Sequence, residues 1–183
     1  MIRVFTDTAA NLPPEGLEKY HIRTLPLTYR VDGELPEGEF DGPAYYDAIR
    51  GGAEVKTAMV NPQDTAEGME PVLAAGLDVL YVGFSSGLST TYQSGCIAAD
   101  ELREKYPDRK ILTIDSLGAS LGEGLYVYLA AKKQQSGASI DEVADYVRET
   151  IPHLCHWFTV NDLMFLKRGG RVDAATAIVG TVL

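Results

Sequence analysis

The sequence predicts an α/β protein, a three-layer α/β/α arrangement around a mainly parallel sheet. Two observations carry that expectation. Short apolar runs alternate with helical stretches throughout the 183 residues, as they do when helices cross between parallel strands. Three of the runs end in polar turns: Thr6-Asp7-Thr8, the stretch from Ser85 to Thr91, and Asp115-Ser116. In open parallel sheets, ligands bind outside the carboxyl ends of the strands, where such turns lie. There is no internal repeat and no low-complexity linker. The length fits one domain, or one domain and part of another.

Ile2 to Phe5 reads as the first buried strand. Pro13-Pro14 then starts a short helix over Glu15 to Tyr20, since proline suits a first helical turn. Ile22 to Val31 is extended, with Pro26 marking an edge or a bend, and Asp32-Gly33 is a turn signal. Glu34 to Gly42 is an acidic surface loop. Asp41 caps a helix from Pro43 that Gly51-Gly52 ends, and Asn61 with Pro62 opens another that runs to about Ala75.

Val79 to Gly95 organises the chain: an apolar strand, a hydroxyl-rich turn, then a helix whose face reads Tyr92, Cys96, Ala99, Leu102 and Tyr106. The free N–H groups of that helix's first turn favour an anion, and five hydroxyls lie beside them. A plainer role for Ser89 or Thr90 is an N-cap. Lys110 to Ile114 is the next strand. A helix over Gly118 to Gln135 follows, with Leu121, Leu125, Tyr128 and Leu129 on one face. Its glycines imply close approach by a neighbouring element or a ligand chain. Ser139 and Glu142 form a capping box for a helix from Ile140 to about Thr150. Cys155 to Val160 reads as a strand, Lys167 to Arg171 as a basic cluster, and Asp173 to Leu183 as an apolar helix that stops as a truncated chain would.

Composition limits the function. A net charge of −10 argues against general nucleic-acid binding and against adsorption to anionic membranes. No apolar run is long enough to span a bilayer, and the first residues form a strand and not a signal peptide. Two cysteines give no disulfide framework, and Cys96 reads as a small core residue. Together these point to a cytoplasmic protein.

Asp7 is a candidate metal ligand or base, or else an aspartate that bonds amides in its own turn. His153-Leu154-Cys155-His156 has ligand types, but alternation along a strand would point them apart. Nucleotide-binding glycine motifs are absent, and no cofactor is expected. Gly83-Phe84-Ser85-Ser86-Gly87 matches the nucleophile-elbow pattern G-x-S-x-G. Asp115 and then His153 or His156 complete the order of a serine hydrolase, with Ser85 as nucleophile. Against this, the helix starts near Ser89, too late for an elbow. A binding protein uses the same residues better: hydroxyls and a helix N-terminus hold an anionic head group, and a buried chain adds about 0.8 kcal/mol per methylene.

Six segments in order make the chain resemble the DegV family of fatty-acid-binding proteins. They are Thr6 to Leu12, Ile22 to Tyr29, Lys56-Thr57, Ser85 to Ser94 (close to S-S-x-L-S-G-T-Y-Q-S), Asp115-Ser116, and Leu166 to Val172 (like L-x-K-G-G-R-[IV]). The resemblance implies a DegV-like N-terminal lobe at 1–160 and the start of a second, largely missing lobe at 161–183. It implies a long-chain fatty acid whose carboxylate is held by Thr57 and Ser89, with Ser86 as a secondary contact. It implies a partner, a separate bacterial fatty acid kinase subunit that makes the acyl phosphate, so that the binding protein is no enzyme. The Lys167 to Arg171 cluster would help dock that partner or close the site. Three departures matter. Ala58-Met59-Val60-Asn61 stands where the family has S-Q-P-S, and Thr90 stands where it has glycine. The family's second lobe supplies a histidine to the carboxylate, so its loss implies weak binding and an exposed apolar flank at Ala174 to Leu183.

Overall fold

The structure, a computed structural model, describes residues 1–36, 38, 40–160 and 162–173. Its strands are β1 Ile2–Asp7, β2 Arg23–Leu25, β3 Thr28–Val31, β4 Val55–Ala58, β5 Asp78–Gly83 and β6 Ile111–Asp115. Its helices are α1 Pro14–Tyr20, α2 Gly42–Arg50, α3 Pro62–Ala74, α4 Thr91–Lys105, α5 Leu121–Gln135, α6 Ile140–Thr150 and α7 Leu163–Arg168. Single 3₁₀ turns cover Thr8–Ala10 and Ile151–His153.

Two compact units emerge. The larger comprises Met1–Thr28 and Thr57–Cys155. Its sheet has the order β2-β1-β5-β6, and every neighbouring pair is parallel. Ile2 lies opposite Asp78, and Val79 opposite Ile111. Side chains alternate across the sheet, so each strand feeds two cores. Val4, Leu80, Val82 and Ile114 pack beneath α5 and α6, while Phe5, Val79, Tyr81 and Ile111 pack with residues of α3 and α4. The three-layer α/β/α expectation therefore holds.

Local sequence explains the helices. Asn61 accepts the Asp64 N–H at 2.8 Å and Pro62 fills the first turn of α3. The expected capping box of α6 is present, and Ile140, Val143, Ala144 and Val147 form its buried face at helical spacing.

Two expectations are corrected. The face of α5 was expected to be leucine-rich, yet Leu121 and Leu125 are exposed. Glu123, Gly124, Tyr126, Val127, Ala130 and Ala131 are buried instead. At one point on this face the packing is close: a Cβ on Gly124 would stand 2.5 Å from the Ala10 carbonyl oxygen, so that position takes glycine. Cys155 to Val160, expected as a strand, forms none, and these side chains are exposed on both alternations. Its aromatic and β-branched composition suits a strand, but a strand needs a ladder partner and this segment has none among the described residues.

The smaller unit comprises Tyr29–Lys56 and the described residues of His156–Leu183. Asp32-Gly33 makes the expected turn, with Val31 and Glu34 exchanging both backbone hydrogen bonds across it. Asp41 caps α2 by accepting the Ala44 N–H at 3.0 Å. Tyr29, Phe40, Tyr45 and Tyr46 meet edge to face. The basic cluster occupies the last turn of α7 and the loop after it, where Arg168 stacks on Phe165 and Arg171 bonds the Gly169 carbonyl. The apolar helix and flank expected at 174–183 lie outside the described residues. Among the described residues, no helix is long and apolar enough to cross a membrane.

Candidate functional site

Strand order locates the crevice. From β1 the chain moves to β2 on one side of it, then to β5 on the other. Such a reversal opens a gap outside the carboxyl ends of the two central strands. The turns after β1 and β5 meet there, with the turn after β6 beside them.

The first turn is committed to the framework. Thr6 Oγ1 donates to Glu123 Oε1 at 2.9 Å, and Thr8 Oγ1 accepts the Leu27 N–H at 3.0 Å. Asp7 Oδ1 accepts the Ala9 N–H at 3.0 Å, and Oδ2 accepts the Phe84 N–H at 3.0 Å and the Tyr81 hydroxyl at 3.1 Å. The amide bond within its own turn was legible in sequence; the two to β5 and its turn were not. Burial raises the Asp7 pKa, and these three donors oppose the rise. Asp7 belongs to no metal cluster: among the described residues no three histidine, cysteine or acidic side chains gather.

The third turn is also occupied. Asp115 Oδ1 accepts the Ser86 and Leu117 N–H groups, both at 3.1 Å, and Ser116 Oγ accepts the Gly118 N–H.

The middle turn differs. Ser85 is buried and its hydroxyl accepts the Gly87 N–H at 3.2 Å. Its carbonyl takes the Leu88 and Ser89 N–H groups. Ser89 Oγ pairs with Thr91 Oγ1 at 2.9 Å and accepts the Thr91 N–H at 3.2 Å, a cap-like role. Thr90 is no side-chain cap; its hydroxyl points to Met59 Sδ at 2.7 Å. Ser94 Oγ lies 3.6 Å from the same sulfur. Met59 therefore fixes the connection after β4 beside the start of α4, and Thr57 lies two residues upstream of it. Thr57 and Ser86 are exposed, and neither hydroxyl has a partner among the described residues.

The helix completes the site. Its first internal bond runs from the Ser94 N–H to the Thr90 carbonyl, so the preceding amides have no intrahelical acceptor. They and the dipole favour an anion. Small residues, Ser94, Gly95 and Ala98, bring α4 close to the sheet. A Cβ on Gly95 would stand 2.2 Å from the Tyr81 ring. Cys96 is half-buried, its thiol 3.6 Å from Thr113 Oγ1.

The hydrolase geometry is not assembled. The helix begins at Thr91, six residues after Ser85, so the turn is no elbow. His153 Nδ1 pairs with the Glu149 carbonyl at 2.7 Å in its own helical turn.

Glu123 was invisible to sequence reasoning. It lies fully buried in the first turn of α5, with Oε2 unpartnered. Burial and then the nearby Asp7 push its pKa from 4.5 to about 9. No spacing rule marks it; only its contact with Thr6 across 117 residues does.

The family model described as "Uncharacterised protein, DegV family" matches residues 1–183. A DegV domain-containing protein of Clostridium perfringens, CPE0026, is 41% identical, with 98% of this chain matching 63% of that protein. The DegV domain-containing protein YteA of Lactococcus lactis is 38% identical, with 98% of this chain matching 64% of it. Among solved structures, a fatty-acid-binding DegV family protein from Thermus thermophilus superposes with a TM-score of 0.86 at 31% identity, over 100% of this chain and 64% of that one. A stearic acid-binding protein from Eubacterium ventriosum gives a TM-score of 0.83 at 25% identity, over 96% of this chain and 63% of that one. The chain thus spans slightly under two thirds of the length of these relatives.

Proposed function

Because this chain belongs to the DegV family, we propose that it binds a long-chain fatty acid in the crevice outside β1 and β5. The observation that carries the reading is the middle turn. Of the three polar turns, it is the one in which exposed or half-buried hydroxyls lie beside the N-terminus of a long helix, whose Thr91 N–H is already taken by Ser89 Oγ. Thr57 and Ser89 hold the carboxylate, with Ser86 as a secondary donor. Thr57 and Ser86 have hydroxyls to give, and Ser89 can turn its proton from Thr91 to the ligand. The Met59 contacts to Thr90 and Ser94 support bringing Thr57 to that turn.

The hydrocarbon tail has apolar surface to use. Met59, Leu88 and Leu117, on connections that follow β4, β5 and β6, and Leu121, the first residue of α5, are all exposed. Each methylene buried there contributes about 0.8 kcal/mol, so the tail supplies most of the affinity and the turn supplies register. Solved relatives named as fatty acid or stearic acid binders support this ligand class.

The protein is a carrier and not a catalyst. It presents the carboxylate to a separate fatty acid kinase subunit, which phosphorylates it. The Lys167 to Arg171 cluster assists that docking, with Lys167 at the end of α7 offering a charge without an ion pair among the described residues.

Native mass spectrometry with organic extraction tests the reading. The full chain should carry a mass excess that extracts as fatty acid and falls away in the Thr57→Ala, Ser89→Ala double variant. Labelling by a fluorophosphonate, abolished by Ser85→Ala, would instead establish a hydrolase.

A further inference from the structure

We infer that Asp7 is a positioning residue for the head-group turn: it fixes the backbone at Phe84 so that the Ser86 and Ser89 hydroxyls are placed for a carboxylate. The inference rests on the fatty-acid reading above.

Asp7 is fully buried, so it acts through other groups. One oxygen holds its own turn through Ala9; the other reaches across to β5 and receives Phe84 N–H and Tyr81 O–H. A carboxylate that served only its own turn would need no bond to Phe84. Phe84 is the first residue after β5, and the whole hydroxyl turn follows from it. Ser85, next in the chain, gathers the Leu88 and Ser89 amides on its carbonyl, so a shift at Phe84 is passed directly to Ser89.

The surroundings are built to bring Tyr81 to Asp7. The Tyr81 ring is fully buried under α4. It fits because Gly95 and Gly83 lack a Cβ; added ones would stand 2.2 Å and 2.7 Å from the ring. On the other face of β1, Thr6 is anchored to Glu123, so the strand end that carries Asp7 is held from both sides. Asparagine at position 7 keeps the shape but offers one acceptor oxygen. Its NH₂ would face either the Ala9 or the Phe84 N–H, and neither amide can reverse its role.

The test separates head-group positioning from general loosening. Oleate and oleyl alcohol share a tail and differ at the head, so titration calorimetry of both against the full chain isolates the carboxylate. For Asp7→Asn, loss of a charge-assisted bond should weaken oleate about tenfold while oleyl alcohol stays within about twofold. Tyr81→Phe removes one neutral donor and should weaken oleate about threefold, again leaving the alcohol unchanged. Amide exchange at Phe84 should quicken in both variants. Equal weakening of the two ligands, or no change in either, overturns the positioning role. If Asp7→Asn does not fold, Tyr81→Phe decides alone. Wild-type protein that binds no oleate overturns the fatty-acid reading and this inference with it; wild-type binding that both variants retain overturns this inference only.

Discussion

Glu123→Gln is the most informative single change. The folded chain keeps the Glu123 proton up to about pH 9, whereas the ordinary value of 4.5 applies once it is exposed by unfolding. A raised acid pKa means that the folded state holds the extra proton. Its stabilising contribution is complete below pH 4.5 and is lost progressively as pH rises towards 9. At pH 7 the gap is about 2.5 units, and at about 1.4 kcal/mol per unit the ionisable side chain costs about 3 kcal/mol. Glutamine accepts the same Thr6 hydroxyl but has no proton to release. Urea unfolding followed by circular dichroism from pH 5 to 8.5 should show wild-type stability falling by about 1.4 kcal/mol per pH unit from this group. The variant should lack that slope. Its absolute stability also carries about 1–3 kcal/mol for a buried, unpaired NH₂ in place of Oε2, so the slope is the clean readout. Carboxyl carbon NMR gives the site directly, with a midpoint near pH 9 expected. Identical slopes in both proteins, or a midpoint near 4.5, would refute the argument and mean that Glu123 is charged inside the fold.

Gly95→Ala ought to destabilise by about 1–3 kcal/mol despite alanine's better helix propensity, because the new methyl meets the Tyr81 ring. Pairing it with Tyr81→Leu should recover part of the loss; a raised melting temperature for Gly95→Ala alone would contradict the packing. Ser139→Ala removes the α6 capping box and should cost about 1 kcal/mol in thermal unfolding, while leaving fatty acid content unchanged.

Local signals in the sequence were read well because local chemistry causes them. The Asn61 and Ser139 caps, the Asp32-Gly33 turn and the strands β1, β5 and β6 each follow from a few adjacent residues. What escaped depends on distant partners. Leu121 and Leu125 look like a core stripe, but the face that carries Gly124, Tyr126 and Val127 turns inward, with Gly124 against the Ala10 carbonyl. Cys155 to Val160 has strand composition without a strand beside it. In the candidate site, the hydroxyl turn before α4 was legible from its position after an apolar strand. The Asp7–Tyr81–Phe84 connection was not, since it joins residues more than 70 positions apart and has no motif of its own.

The strand order also sets the sequence of events in folding. β1 lies inside the sheet, between β2 and β5, although it is the first strand of the chain. Ile2 must wait for Asp78 before its ladder on that side can close. As the polypeptide leaves the ribosome, β2 becomes available to one edge of β1 long before β5 reaches the other. Non-local parallel pairing of this kind slows folding and exposes an open edge in the meantime. Arg3, the second residue of β1, is a charge that such an interval favours: its guanidinium bonds the His21 carbonyl, close to β2, which is already synthesised long before β5 exists.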